Sequence, residues 1–320
     1  MTKISKIALE EHFMTPGFED YSKSFTSLMP LEMAARLASE LADFDDLRLA
    51  AMDRAGIDLV VLSQTGPAVQ GEADVSKAIE RARYSNDFLA GQVRRRPDRF
   101  AGFAALPMQS PDEAAKELRR TVGELGMKGA LVNGHTHGRY YDDPAYDVVW
   151  QTFEALDVPL YLHPIDAKGG SLAFAGRPEL NGAIWGWGVE TGTHALRLLF
   201  SGVFDRFPKL KIILGHMGEG LPFQRWRMDS RFAAYPNGIS LERAPSEYIG
   251  SNIVITTSGV CSPAALLGAI HELGADAVMF SVDYPYESSD IAARFIEDAP
   301  LDDETKNKVC HGNARHLLKL

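Results

Sequence analysis

Glu10 and His12, His163, His216 and Asp283 are the residues on which chemistry can be built, because each stands at or just past the end of a short apolar run. Two residues apart on a strand, Glu10 and His12 share one face, and a carboxylate beside an imidazole can grip one divalent cation. His163 closes the run Val158-Pro-Leu-Tyr-Leu and is stopped by Pro164, while His216 follows Lys211-Ile-Ile-Leu-Gly and opens His-Met-Gly-Glu-Gly. Asp283 closes Ala277-Val-Met-Phe-Ser-Val. Taken singly, each has an ordinary structural reading: a solvated rim carboxylate, a hydrogen-bonded histidine, an aspartate capping the next turn. Gathered at one mouth, they are costly to desolvate unless paired with one another or bound to a metal.

Positioning them requires strands that end together. Eight apolar runs read as strands, at 4–9, 59–62, 100–106, 129–132, 159–162, 210–214, 252–257 and 277–282. Most are continuously apolar, as expected of strands buried on both faces. Helical patterns alternate with them at 31–55, 74–96, 111–125, 144–156, 190–204, 219–233, 262–273 and 287–298, and a last one at 303–319 is placed to close the base. Alternating βα units predict a parallel sheet. Eight of them predict a closed (β/α)8 TIM barrel, an α/β fold, as one domain over 1–320. The open doubly wound alternative lacks its mark, since no GxGxxG follows the first strand. The barrel puts the ends of strands one, five, six and eight at one mouth, under the irregular stretches 14–30 and 164–189.

The net charge of −10 argues against a nucleic-acid partner, which needs a basic face. Only Cys261 and Cys310 are present, so neither a disulfide framework nor a thiolate metal site is expected, and a reducing cytoplasm fits. The opening residues MTKISKIALEEHF lack the apolar stretch of a secretion signal, and no stretch has the length of a membrane span. His135-x-His137 imitates a metal motif, but in the Gly-bounded loop Asn133-Gly-His-Thr-His-Gly it reads as surface loop. His194, four residues after Glu190, reads as an exposed or interface pair. His271, His311 and His316 read as structural. Lys128 stands at the wrong end of strand four to bridge two cations and Asn133 occupies the mouth end, so one metal is expected rather than two.

The strings ALEEHF (8–13), ALVNG (130–134), YLHP (161–164), ETGTHALRLLFSGVFDRFPKLKIILGHMGEGLPFQRWRMD (190–229), ITTSG (255–259) and FSVDYPYE (280–287) resemble the amidohydrolase superfamily. Within it they resemble the aminocarboxymuconate-semialdehyde decarboxylase-like branch, nearest to the ortho-hydroxybenzoate decarboxylases that include those acting on gamma-resorcylate (2,6-dihydroxybenzoate). The resemblance spans essentially the whole chain. It implies a (β/α)8 barrel with one divalent cation, Mn2+ or Zn2+, held by Glu10, His12, His163 and Asp283, with no organic cofactor. It implies His216 as the active-site histidine with Glu219 as its partner, and Phe25 and Asn133 in the substrate pocket. Arg227 matches an arginine that reaches substrate across a subunit boundary, which implies a homodimer or homotetramer.

The reaction so implied is non-oxidative and reversible loss of carbon dioxide from a small aromatic carboxylic acid. It demands a proton on the ring carbon that bears the carboxylate, because a free aryl carbanion is too unstable. Asp283 is a candidate for that proton donor as well as for a ligand, with His216 and Glu219 tuning or supplying the proton. Trp185-Gly-Trp187 is placed to stack on an aromatic ring, with Trp187 the substrate candidate, or to serve as a hydrophobic cover. Two other readings use the same ligands: hydrolysis of a lactone or amide, and a barrel whose metal is structural.

Overall fold

The computed structural model describes residues 4–21 and 29–320. All eight expected strands form: β1 (Ile7–Phe13), β2 (Leu59–Gln64), β3 (Phe100–Gly102), β4 (Ala130–Asn133), β5 (Leu160–His163), β6 (Ile212–Leu214), β7 (Ile253–Thr256) and β8 (Val278–Met279). They pair in parallel as two arcs, β1-β2-β3 and β4-β5-β6-β7-β8. Two narrow seams join the arcs into a barrel. One is the bridge Ala104↔Ala130, and the other is Glu11↔Tyr284 at the β8–β1 junction. At the second seam His12 N donates to Tyr284 O (2.7 Å) and Asp283 N donates to Glu10 O (2.9 Å). The residues singled out for chemistry thus also close the barrel.

Alternation along the strands sorts side chains into two layers. Ile7, Leu9, Val61, Phe103, Leu131, Tyr161, Ile213, Val254 and Met279 pack together inside the barrel, with Ala314 and Leu318 of the last helix below them. Ala8, Phe13, Leu62, Val132, Leu162 and Leu214 belong to the larger layer between strands and helices. The helices earn their places by spacing. In Val75–Arg95 the buried Ala78, Ala82, Ser85, Asn86, Leu89 and Ala90 recur every three or four residues, and Asp74 caps the start by accepting from Lys77 N.

Several helical expectations change: 190–204 divides into Gly186–Phe200 and Val203–Arg206, and 219–233 is α-helical only from Arg225. The run 31–55 is two helices, Leu31–Ala42 and Asp46–Ala55. Asp43 breaks it by taking the N–H groups of Asp46 (3.3 Å) and Arg48 (2.9 Å), so its carboxylate begins the second helix instead of continuing the first. The run 303–319 holds a π-turn at Lys308–Gly312. There Val309 O is turned outward to accept from Phe280 N (2.8 Å), beyond the short β8.

Candidate metal centre and active site

β1 reaches four residues further than its apolar run suggests, because Glu10 and His12 are themselves strand residues, both fully buried. The ladder to β2 runs Ala8↔Val60 and then Glu11↔Leu62, so β1 carries one extra residue between them. This bulge changes which residues face inward. Below it the odd-numbered Ile7 and Leu9 fill the barrel; above it the even-numbered Glu10 and His12 join the mouth cluster, while Phe13 packs outward. Ser281 Oγ satisfies the bulge by accepting from both Leu9 N (3.1 Å) and Glu10 N (2.6 Å). Glu11, facing away from the cluster, takes Val282 N (3.0 Å) and pins the segment before Asp283 to β1. Burial pushes its carboxyl up to about 8, against hydrogen bonding by Val282 and the nearby Arg48.

At the mouth, one donor atom each from Glu10, His12, His163 and Asp283 lies within 4.8 Å of all the others. Ligands at about 2.0–2.2 Å from one cation stand no more than about 4.4 Å apart, so the group is close to the spacing that one ion imposes. Glu10 Oε1, His12 Nε2 and Asp283 Oδ1 are buried without a hydrogen bond among the described residues. His12 Nε2 approaches Asp283 Oδ1 at 3.1 Å but not along a hydrogen-bond direction. Buried polar atoms are rarely left so, and a shared cation would satisfy all three. The histidines are oriented for it. His163 Nδ1 donates to Pro164 O (3.0 Å), leaving Nε2 bare and 3.5 Å from Glu10 Oε1. Burial, aided by His12, holds His163 down to about 3, so the ring is neutral as a ligand must be. His12 Nδ1 meets Ser63 Oγ at 3.3 Å. The residues present therefore fit one divalent cation.

Beside the cluster, His216 and Glu219 sit in a turn of unusual hand. His216, Met217, Gly218, Glu219 and Gly220 all have positive φ, at 48, 57, 76, 53 and 74°. Gly218 N donates to Gly215 O (2.7 Å) and Glu219 N to His216 O (3.3 Å), so the segment is a short left-handed turn. L-residues resist this by about 1–2 kcal/mol each, and the turn uses the strain to place residues 216 and 219 face to face. His216 Nδ1 donates to Glu219 Oε1 (2.8 Å). Its Nε2 lies 3.6 Å from Glu10 Oε1 and 3.7 Å from Asp283 Oδ2. Burial alone would lower His216, but the Glu10 and Glu219 carboxylates raise it well above its ordinary value. Asp283 moves the other way: burial would raise it, and the close approach of the His12 and His216 rings holds it below the usual carboxylate range. Of this pair, His216 is thereby the better holder of a proton.

The amidohydrolase family model matches residues 12–320. The chain belongs to the amidohydrolase family. Among curated relatives of this amidohydrolase, the gamma-resorcylate decarboxylase of Polaromonas sp. (strain JS666 / ATCC BAA-500) is 45% identical, covering 98% of each chain. A crystal structure of 2,6-dihydroxybenzoate decarboxylase complexed with 2,6-dihydroxybenzoate superposes with a TM-score of 0.94 at 44% identity, over 99% of this chain and 100% of that one. The dihydroxybenzoic acid decarboxylase from Polaromonas sp. JS666, solved with bound manganese and the inhibitor 2-nitroresorcinol, has a TM-score of 0.94 at 45% identity, over 99% and 97%.

The other expected positions of this amidohydrolase are placed unevenly. Asn133 ends β4, paired with His163. Gln70 holds its main chain by accepting from Asn133 N (2.7 Å) and donating to Asn133 O (3.2 Å), which leaves the buried Oδ1 without a partner among the described residues. Trp187 is not in a loop but in the first turn of the helix Gly186–Phe200, its indole N–H donating to Asp166 Oδ1 (2.6 Å). Arg227 is exposed on the helix Arg225–Ala234, lining a surface groove of about 460 Å³ with Phe200, Met228 and Tyr235 rather than the mouth cluster. Phe25 lies outside the described residues.

Two histidine readings need correction. His135 is buried, its ring nitrogens facing the main-chain N–H groups of Gly138 and Lys168, each at 3.1 Å. His194 is fully buried and accepts from Tyr141 N (3.1 Å), while Glu190 takes the Tyr140 hydroxyl (2.5 Å). Among the described residues neither joins a metal-ligand group. Sequence reasoning also missed Tyr161, Ser258, Glu11 and Gln70, none of which carries a signal apart from its neighbours in space.

Proposed function

We propose that this chain is a divalent-metal-dependent, non-oxidative decarboxylase of an ortho-hydroxybenzoate, with gamma-resorcylate as substrate and resorcinol as product, reversible with carbon dioxide or bicarbonate. The observation that carries the reading is the convergence of Glu10, His12, His163 and Asp283 around orphaned donor atoms, with the His216–Glu219 pair alongside. The relatives that act on or bind 2,6-dihydroxybenzoate support it.

A divalent cation held by Glu10, His12, His163 and Asp283 supplies Lewis acidity and a template for the phenolate and carboxylate oxygens of the substrate. The chain's own task is the proton. His216 holds one at Nε2, oriented by Glu219 and 3.7 Å from Asp283 Oδ2. Asp283 takes that proton and delivers it to the ring carbon that bears the carboxylate. The bond to the carboxyl carbon then breaks, its electron pair returns to the ring, and carbon dioxide leaves. Asn133, with its side-chain oxygen unspent, is proposed to position the substrate, as are Phe25 and Trp187. We assign the work to one domain spanning 1–320 in a homodimer or homotetramer, with Arg227 reaching a neighbouring subunit's substrate. The exposed Trp226, its neighbour in sequence, and the exposed Trp185 support such an interface. No helix of the described residues is long and apolar enough to cross a membrane.

The test is incubation of the Mn2+-loaded protein with a panel of ortho-hydroxybenzoates, recording carbon dioxide and phenol, beside a chelator-stripped sample. Metal-dependent release, greatest from gamma-resorcylate, is expected. No release from any acid by protein with metal bound would overturn the proposal.

A further inference from the structure

Glu10 uses its two carboxylate oxygens differently, and the reason lies beneath it. Oε1 is the orphaned atom aimed at the mouth. Oε2 accepts two hydroxyls at once, from Tyr161 of β5 and Ser258 after β7. Both are fully buried. Thr256 Oγ1 lies 2.8 Å from the Tyr161 hydroxyl and 3.1 Å from Ser258 Oγ; with both of their protons on Glu10, its own single proton goes to one of them. Ser258 Oγ in turn accepts from His216 N (3.0 Å), linking the cradle to the left-handed turn. Gly215 roofs it. A methyl on residue 215 would collide with Glu10 Oε2 and come within 2.9 Å of Ser258 Oγ and 3.1 Å of the Tyr161 hydroxyl. The glycine before His216 is therefore demanded by the packing of the hydroxyls and carboxylate; its φ of −71° is one any residue adopts.

We infer that Tyr161 and Ser258 are positioning residues that hold Glu10 as a single-oxygen ligand, occupying Oε2 so that only Oε1 is free for the cation. This rests on the reading of Glu10 as a metal ligand. It also accounts for a carboxylate at residue 10: two hydroxyls converge on one atom that accepts twice, which an imidazole nitrogen cannot do. Strands one, five and seven thus cooperate in one ligand, although neither Tyr161 nor Ser258 belongs to the ligand group itself.

The experiment measures Mn2+ affinity of the full-length chain by the EPR signal of free Mn2+, for wild type, Tyr161→Phe, Ser258→Ala, Glu10→Gln and each pair with Glu10→Gln. Removing groups that orient a ligand weakens metal binding by about 10–100-fold, and that loss is expected for Tyr161→Phe and Ser258→Ala. Because both act through Glu10, their effects should largely vanish in the Glu10→Gln background. A merely structural role would survive there and add in full, and that result overturns the inference, as does binding within threefold of wild type in both single variants. Ser258→Ala, which deletes one oxygen, keeps the test in hand if Tyr161→Phe does not fold. Failure of wild type to bind Mn2+ would instead remove the metal centre, and the cradle's purpose with it.

Discussion

The left-handed turn makes a prediction that two glycines two residues apart can test against each other. Gly218 and Gly220 have nearly the same φ, 76 and 74°. An alanine at either pays the same conformational cost, about 1–2 kcal/mol for an L-residue in that region. Their surroundings differ. A methyl on residue 220 meets nothing within 4 Å, whereas one on residue 218 falls 2.6 Å from Ile255 Cγ2 and 3.2 Å from Pro222 Cδ. Ile255 is a fully buried residue of β7, paired on both sides, and cannot give way. Forcing a methyl into such a site costs about 1–3 kcal/mol more. Gly220→Ala should therefore lose about 1–2 kcal/mol and Gly218→Ala about 2–5 kcal/mol. Because β7 is fixed, the turn must yield, moving His216 and Glu219 away from Asp283. Gly218→Ala should then lose kcat well beyond what Gly220→Ala loses. The assay is denaturant unfolding of both variants together with decarboxylation kinetics. Equal stabilities and equal rates would refute the packing argument, and two wild-type-like variants would refute the left-handed turn.

Further outcomes follow from the site and its surroundings. Asp283→Asn should reduce kcat by about 10²–10⁴-fold, the range for a proton-transfer group; turnover near wild type with metal still bound would exclude Asp283 from proton delivery. His216→Asn should fall in the same range, and Glu219→Gln should lose less while shifting the pH profile of kcat, since Glu219 acts through His216; an unshifted profile would sever that link. His194, outside the metal-ligand group, is held down to about 3 by burial and by neighbouring His135 and Arg197. Its ordinary value is near 6.5, so between those two the unfolded chain binds the extra proton and stability falls as pH is lowered, by about 1.4 kcal/mol per pH unit for one proton. Above pH 6.5 this contribution is fully present. His194→Gln should flatten the dependence of urea midpoints between pH 7 and 5, and an unchanged slope would show that His194 is not the group responsible.

His163, His216 and Asp283 were legible because each follows an apolar run ended by a hard stop: Pro164, the glycines around His216, or Tyr284-Pro285. Glu10 and His12 were legible as a pair sharing one face, but the bulge that turns this face inward leaves no mark on the alternation. Tyr161 reads as core within Leu160–His163, and its hydroxyl acquires a task only when β1 and β7 are beside it. Glu190 and His194 have the spacing of an exposed pair, yet that helix face is covered by Tyr140 and Tyr141. The division at Asp43 was hidden because the apolar period runs on through both helices, whereas the carboxylate's choice of N–H partners depends on its own rotamer.

The two seams have a consequence for how the barrel breathes. Glu10 and His12 ride on the three-stranded arc, while His163 and Asp283 ride on the five-stranded one or the segment leaving it. A cation shared by all four is a clasp across the opening line of the cylinder. Free metal at a hundred times its dissociation constant would tighten that clasp by about 2.7 kcal/mol. The amide protons of His12 and Asp283, which cross the β8–β1 seam, should then exchange with solvent more slowly when metal is bound. Those of Ala104 and Leu131, at the far seam, should respond less, so that losing the ion loosens one side of the barrel first.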